Sequence, residues 1–146
     1  MIVADVDQER ARRVSQLHQP PTLVARNWRE AVSHPEVELV IVATPNNLLT
    51  PIGIFALKRG RHVFLEKPAA RSVAELGELV KVAKKFRRLV KVGFNLRYHP
   101  AIKKAREIVA SGEIGPLMYL RGRYGHGGRV GYQKEWRATP EVAGGG

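Results

Sequence analysis

Apolar positions along the chain follow two rhythms. Short runs rich in Val, Ile and Leu (Ile2-Val3-Ala4, Thr22-Leu23-Val24, Glu38 to Ala43, His62 to Leu65, Leu89 to Phe94) alternate with longer segments whose apolar residues recur every three or four positions. The runs predict strands and the recurrences predict helices. Asp7 is placed to cap a helix over 8–16, and a short helix is expected over 28–33. The run 38–43 is apolar on both faces, as in a parallel strand covered by helices on either side. Thr50 is expected to cap the next helix, with Pro51 at its first position, Lys58 and Arg59 in its last turn and Gly60 as its stop. Ser72-x-x-Glu75 reads as a capping box, opening a helix with apolar residues at 73, 76, 79, 80, 83 and 86. A further helix is expected from Pro100 to Ser111, stopped by Gly112, followed by a strand from Leu117 to Tyr124 with Arg121 and Arg123 on one face.

Strand and helix thus alternate from 1 to 95, the pattern of an α/β fold with a parallel, Rossmann-like sheet and right-handed crossovers. After Gly115-Pro116 the texture changes. The expected division is a nucleotide-binding domain over 1–98 and the opening of a second α/β domain over 99–146.

Composition narrows the class. With 44% apolar and 26% charged residues the chain is globular. No apolar run approaches the ~20 residues that span a bilayer, and two acids by position 7 argue against a signal peptide. The absence of cysteine excludes disulfides and thiolate chemistry and fits a reducing cytoplasm. The net charge of +12 admits an anionic partner, nucleic acid or a phosphorylated ligand. Most of the excess, however, lies at Lys81, Lys84, Lys85, Arg87 and Arg88 and at Lys103, Lys104 and Arg106, opposite apolar helix positions and without interleaved aromatics. Solvated helix faces are the favoured reading, with no nucleic-acid or membrane partner; a basic, non-catalytic binding module is the alternative.

Ligands of parallel α/β sheets bind beyond the carboxyl ends of the strands. Four expected strands end there in polar groups: Asp5, then Thr44-Pro45-Asn46, then Glu66-Lys67-Pro68, then Asn95 with Arg97. Asp5 suits both hydroxyls of an adenine ribose and disfavours a 2′-phosphate, which favours NAD over NADP; it equally suits a helix-capping acid. Thr44-Pro45-Asn46 taken singly is a turn. Lys67 at a crevice floor, oriented by Glu66 with Pro68 fixing the turn, would bond a substrate hydroxyl and share in moving its proton; the plainer reading is a surface ion pair. No G-x-G-x-x-G occurs, and Gly125-His126-Gly127-Gly128 fails its spacing. The histidines at 18, 34, 62, 99 and 126 show no metal-ligand spacing.

"VIVATPNNLLTPIGIFALKRGRHVFLEKPAA", "KVGFNLRYHPAI", "SGEIGPL" and "WRATPEVAGGG" together resemble the Gfo/Idh/MocA oxidoreductases. The resemblance implies a Rossmann domain followed by an open-sheet α/β domain, and hydride transfer between NAD(P) and the carbinol carbon of a sugar, inositol or related polyol. It makes Lys67 the catalytic lysine of the E-K-P motif and sets Asp5, Thr44, Pro45, Asn46, Glu66 and Asn95 around the cofactor. Arg97 would lie near the crevice, Trp136 and Arg137 would approach the nicotinamide end, and the full-length form would be a homo-oligomer. Three departures stand out. Leu49 occupies a position that is often His. The chain begins at what matches the family's second strand, and it stops before the segment carrying a further Asp and His. In the family's strand order, 3-2-1-4-5-6, the unmatched strand is the middle one. The strands at 1–5 and 38–43 are therefore expected to stand apart, or else to pair directly with their crossover helices repacked, and the pyrophosphate lacks its glycine loop. The expectation is a piece of a longer reading frame, with Met1 internal, that binds NAD weakly or not at all and is inactive by itself.

Overall fold

A computed structural model describes residues 1–125 and 129–144. The stretch Gly125-His126-Gly127-Gly128 lies in part outside the described residues. The chain forms two compact units, Met1–Gly93 with Trp136–Gly146, and Phe94–Glu135.

The first unit contains five parallel strands: β1 (Ile2–Val3), β2 (Leu23–Val24), β3 (Leu39–Val42), β4 (His62–Leu65) and β5 (Val90–Val92). They form two sheets, β1-β2 and β3-β4-β5, with no ladder joining β1 to β3 among the described residues. The separation expected from the unmatched middle strand is thus present.

Four helices connect these strands: α1 (Gln8–Gln16), α2 (Trp28–Ser33), α3 (Asn46–Lys58) and α4 (Val73–Phe86). Asp7 caps α1, its carboxylate accepting from the N–H groups of Glu9 and Arg10 at 3.0 Å each. Ser72 caps α4 through the Glu75 N–H at 3.2 Å. The reciprocal bond of the capping box moves one residue upstream, because Glu75 accepts from the Arg71 N–H at 2.9 Å.

Helix α3 carries the core. Leu49, Ile52, Gly53, Ala56 and Leu57 are all buried, an i, i+3, i+4, i+7, i+8 stripe. It faces Val42, Val63 and Leu65 of the sheet and Leu79 of α4. Gly53 allows the close approach of α4, since a Cβ there would lie 3.1 Å from Leu79 Cδ1.

Three expectations need correction. Helix α3 starts at Asn46, a turn before the expected Thr50 cap. Pro45 sets the entry with φ −53°, and Pro51 is accommodated inside the helix, where it forfeits one backbone bond. Strand β3 is covered on one face, not two: Val42 is buried and Val40 half-buried, while Leu39 and Ile41 are 53% and 70% exposed. Helices α3 and α4 cover a single side, so the run that reads as apolar on both faces meets protein on one. The expected strand over 117–124 is irregular, and Met118, Tyr119 and Leu120 stand exposed. A strand needs a neighbour to take its N–H and C=O groups, and no strand of the described residues pairs with this segment.

The second unit holds a 3-10 turn (Asn95–Tyr98) and α5 (Pro100–Ser111), which begins at Pro100 and ends at Gly112 with φ +76°, as its sequence requires. Arg129 donates to both carboxylate oxygens of Glu135 at 2.7 and 2.6 Å.

Candidate active site

Register places the rim. Val42 of β3 lies opposite Leu65 of β4, and Leu65 lies opposite Val92 of β5. The three strands therefore end in one row, sealed by the Glu66 N–H donating to the Val42 carbonyl at 2.9 Å and the Gly93 N–H donating to the Leu65 carbonyl at 2.8 Å. Thr44-Pro45-Asn46 leaves this row from β3 and Glu66-Lys67-Pro68 leaves it from β4. Two of the expected segments are thereby brought side by side.

The Glu66–Ala69 turn is closely specified. Its ends are closed by the Ala69 N–H donating to the Glu66 carbonyl at 3.1 Å, and the Lys67–Pro68 bond is cis. Glu66 Oε2 accepts from the backbone N–H of Lys67 at 3.0 Å. The glutamate thus shapes the turn through Lys67's main chain, where the sequence suggested an orienting contact to its amine. Ala69 is buried with φ +78°, a conformation that costs a non-glycine residue of order 1–3 kcal/mol and persists only where its surroundings enforce it. The enforcing contact comes from α3: the buried Thr50 hydroxyl donates to the Ala69 carbonyl at 3.1 Å. Thr50, read from sequence as a helix cap, instead ties α3 to the turn that carries Lys67. Lys67 itself is exposed, where the sequence reading set it at a crevice floor.

Thr44, Pro45 and Asn46 are half-buried. Helix α3 opens at Asn46 without a side-chain cap among the described residues, which leaves N–H groups of its first turn directed at the rim. Asn46 Nδ2 donates to the Ala143 carbonyl at 2.9 Å. Asn47 Oδ1 is buried and has no hydrogen-bond partner. Leu49, at the position noted for its departure from His, is fully buried in the core.

Asp5 ends β1, in the other sheet. One of its oxygens accepts from the Asp7 N–H at 2.9 Å and the other lies 3.4 Å from Arg10. Asp7 rather than Asp5 caps α1, which corrects the helix-capping reading of Asp5; its side chain is only partly covered. Asn95 and Arg97 lie in the second unit, on the exposed 3-10 turn, where the Arg97 guanidinium lies 5.8 Å from the Phe94 ring. Trp136 and Arg137 form a 3-10 turn (Trp136–Ala138) that belongs to the first unit, with the Arg137 guanidinium 4.5 Å from the indole centroid. They are followed by α6 (Pro140–Ala143), which packs against α3.

Comparison with known proteins gives a consistent picture. A family described as "Oxidoreductase family, NAD-binding Rossmann fold" matches residues 1–94, and one described as "GFO/IDH/MocA C-terminal domain" matches residues 102–146. The chain is 32% identical over 114 residues to levoglucosan dehydrogenase of Pseudarthrobacter phenanthrenivorans, covering 78% of this chain and 27% of that one. It is 28% identical over 117 residues to inositol 2-dehydrogenase of Salmonella typhimurium, covering 80% of this chain and 35% of that one. Among solved structures, levoglucosan dehydrogenase in complex with NADH and levoglucosan superimposes with a TM-score of 0.84 at 27% identity, over 99% of this chain and 39% of that one. The chain therefore spans about a third of the length of these relatives.

Proposed function

We propose, because the chain belongs to the Gfo/Idh/MocA oxidoreductase family, that it is part of an NAD-dependent enzyme that transfers a hydride between the nicotinamide and the carbinol carbon of a sugar, inositol or related polyol. The observation that carries this reading is the shared rim: Thr44-Pro45-Asn46 and Glu66-Lys67-Pro68 leave adjacent parallel strands whose ends are in register. A nicotinamide cofactor supplies the hydride acceptor or donor. This chain's part is to bond the substrate hydroxyl at Lys67 Nζ and to hold or move its proton there. Lys67's exposure leaves the amine accessible to a substrate, and the Thr50–Ala69 bond keeps its turn fixed.

The residues present fit one end of the cofactor. The uncapped start of α3 and Asn46 offer polar atoms at the rim. The chain contains no G-x-G-x-x-G to serve the pyrophosphate. Asp5 is assigned to the adenine ribose, favouring NAD over NADP. Asn95, Arg97, Trp136 and Arg137 are assigned to the cofactor and substrate crevice. The enzyme of which this is part is assigned to the cytoplasm, as a homo-oligomer.

The test is saturation-transfer NMR with millimolar NADH, together with a tryptophan-quenching titration. Protein saturation is expected on the nicotinamide protons in preference to the adenine protons, with affinity weaker than micromolar. Equal or absent saturation would overturn the assignment of the rim. Micromolar affinity would overturn the incompleteness of the cofactor site.

A further inference from the structure

We propose that Arg71 is a positioning residue: it latches the segment Trp136–Gly144 onto the start of α4 and, through it, sets the side-chain amide of Asn46 at the rim. The inference rests on the reading of that rim as a nicotinamide site for its functional meaning, but the latch stands on contacts of its own.

Arg71 reaches in two directions. Toward its own helix, its Nε and Nη2 both donate to Glu75 Oε1, the Nε at 3.0 Å, while its main-chain N–H donates to Glu75 Oε2. The planar guanidinium is thus fixed by a carboxylate four residues on, and neither side chain is more than a third exposed. Its remaining arm, Nη1, donates to the Glu141 carbonyl of α6. That helix is a single turn, so its carbonyls have few partners within it, and a cation near its C-terminal end is favourable. Asn46 takes another of them, that of Ala143, at 2.9 Å.

The third contact is steric. Gly144 has φ +90°, and a Cβ on it would lie 2.8 Å from Arg71 Cβ and 2.9 Å from Arg71 Cα. The main chain at 144 therefore lies directly on Arg71. Three independent contacts, at Glu141, Ala143 and Gly144, converge on two residues of the first unit. Arg71 makes two of them. Asn46 makes the third, and Asn46 is one of the residues assigned to the cofactor. Freed from Arg71, the segment loses the anchor that presents the Ala143 carbonyl to Asn46.

The latch predicts a spectroscopic signature. In wild type one Nδ2 proton of Asn46 should resonate away from the free-carboxamide position, and amides of the 136–144 segment should be protected. Arg71→Ala should bring the Asn46 signals to the position of a free carboxamide and speed exchange in 136–144 by roughly tenfold, as expected for loss of a charge-assisted hydrogen bond. Exchange at Leu65 and Leu79 should stay unchanged. Arg71→Lys should restore part of the effect, since an ammonium can meet one acceptor but not the fork. Gly144→Ala should reproduce the Asn46 change with Arg71 intact and the core untouched, which covers the case in which Arg71→Ala fails to fold. Unchanged Asn46 signals in both Arg71→Ala and Gly144→Ala would overturn the proposal, as would equal acceleration across the whole unit. These readouts need no cofactor. Failure of NADH saturation in wild type would remove the functional reading of the rim and leave the latch standing; failure of the Asn46 signature would remove the latch and leave the rim.

Discussion

At the scale of single residues, the most consequential group is one whose role the sequence disguised. Glu75 reads as the acid of a capping box, and its position six residues before Lys81, the first lysine of α4, suggests nothing more. In the folded chain its carboxyl is held below the usual carboxylate range, chiefly by the side-chain hydrogen bond from Arg71, against a smaller opposing effect of burial. A carboxyl whose folded value lies below its unfolded one stabilises the fold fully above the unfolded value, about 4.3 for Glu. That stabilisation is lost as pH falls through the folded value. Thermal midpoints measured from pH 7 downward should therefore decline more gently in Arg71→Ala than in wild type below about pH 4.3. Asp7, held low first by the Arg10 N–H, supplies an acid-sensitive share common to both proteins. Parallel declines in the two would show that Arg71 and Glu75 are not coupled in solution.

At the scale of elements, the register of hydrophobic positions was legible and the punctuation was only partly so. Five strands and five helices fall where the two rhythms put them, because burial of a stripe or a run is a property of the run itself. The start of α3 was misread for a physical reason. Thr50-Pro51 is a good helix opening, but Pro45 is an equally good one and comes first, and a proline in the second turn forfeits only one bond. The misreading hid Thr50's contact with Ala69, whose signal was tertiary and separated by 19 residues. Replacing Thr50 by Val keeps the shape but leaves the buried Ala69 carbonyl unmatched, at a cost of about 1–3 kcal/mol; Thr50→Ser should retain most of the stability. Chemical denaturation of the pair would decide, and equal midpoints for Val and Ser would mean the hydroxyl does not hold the turn. The neighbouring joint between α3 and α4 offers a scale for comparison. Leu79→Ala empties a fully buried site against Gly53 and Leu65 and should cost about 2–5 kcal/mol by the same measurement. The segment 117–124 failed for the opposite reason: its apolar run is real, but a strand is a property of a pair, and no partner strand stands beside it among the described residues.

At the scale of the whole chain, the candidate site was legible as a set of strand ends and illegible as a set of contacts. The T-P-N and E-K-P segments were found because a parallel sheet sends all its carboxyl ends to one side. Arg71, Glu141 and Gly144 were not, because nothing in a sequence announces that residues 70 positions apart will meet. The same sheet logic yields a test of cooperativity. The buried cluster is built on α3, α4 and β3-β4-β5, whereas β1 and β2 are two residues each and, among the described residues, pair only with one another and share no ladder with β3. Ala11, Ser15 and Ala25 are the buried side chains of that smaller part, and they enclose little apolar volume. Protection from hydrogen exchange reports the free energy of the opening that exposes each amide. Amides of α1 and of β2 should therefore exchange through a lower-energy opening than those of β4 and α4, and the difference should persist as denaturant is added until the larger sheet unfolds. If instead α1 and β4 converge on one exchange free energy in the absence of denaturant, the two sheets are energetically one body. The space between β1 and β3 would then be bridged by packing strong enough to replace a missing ladder.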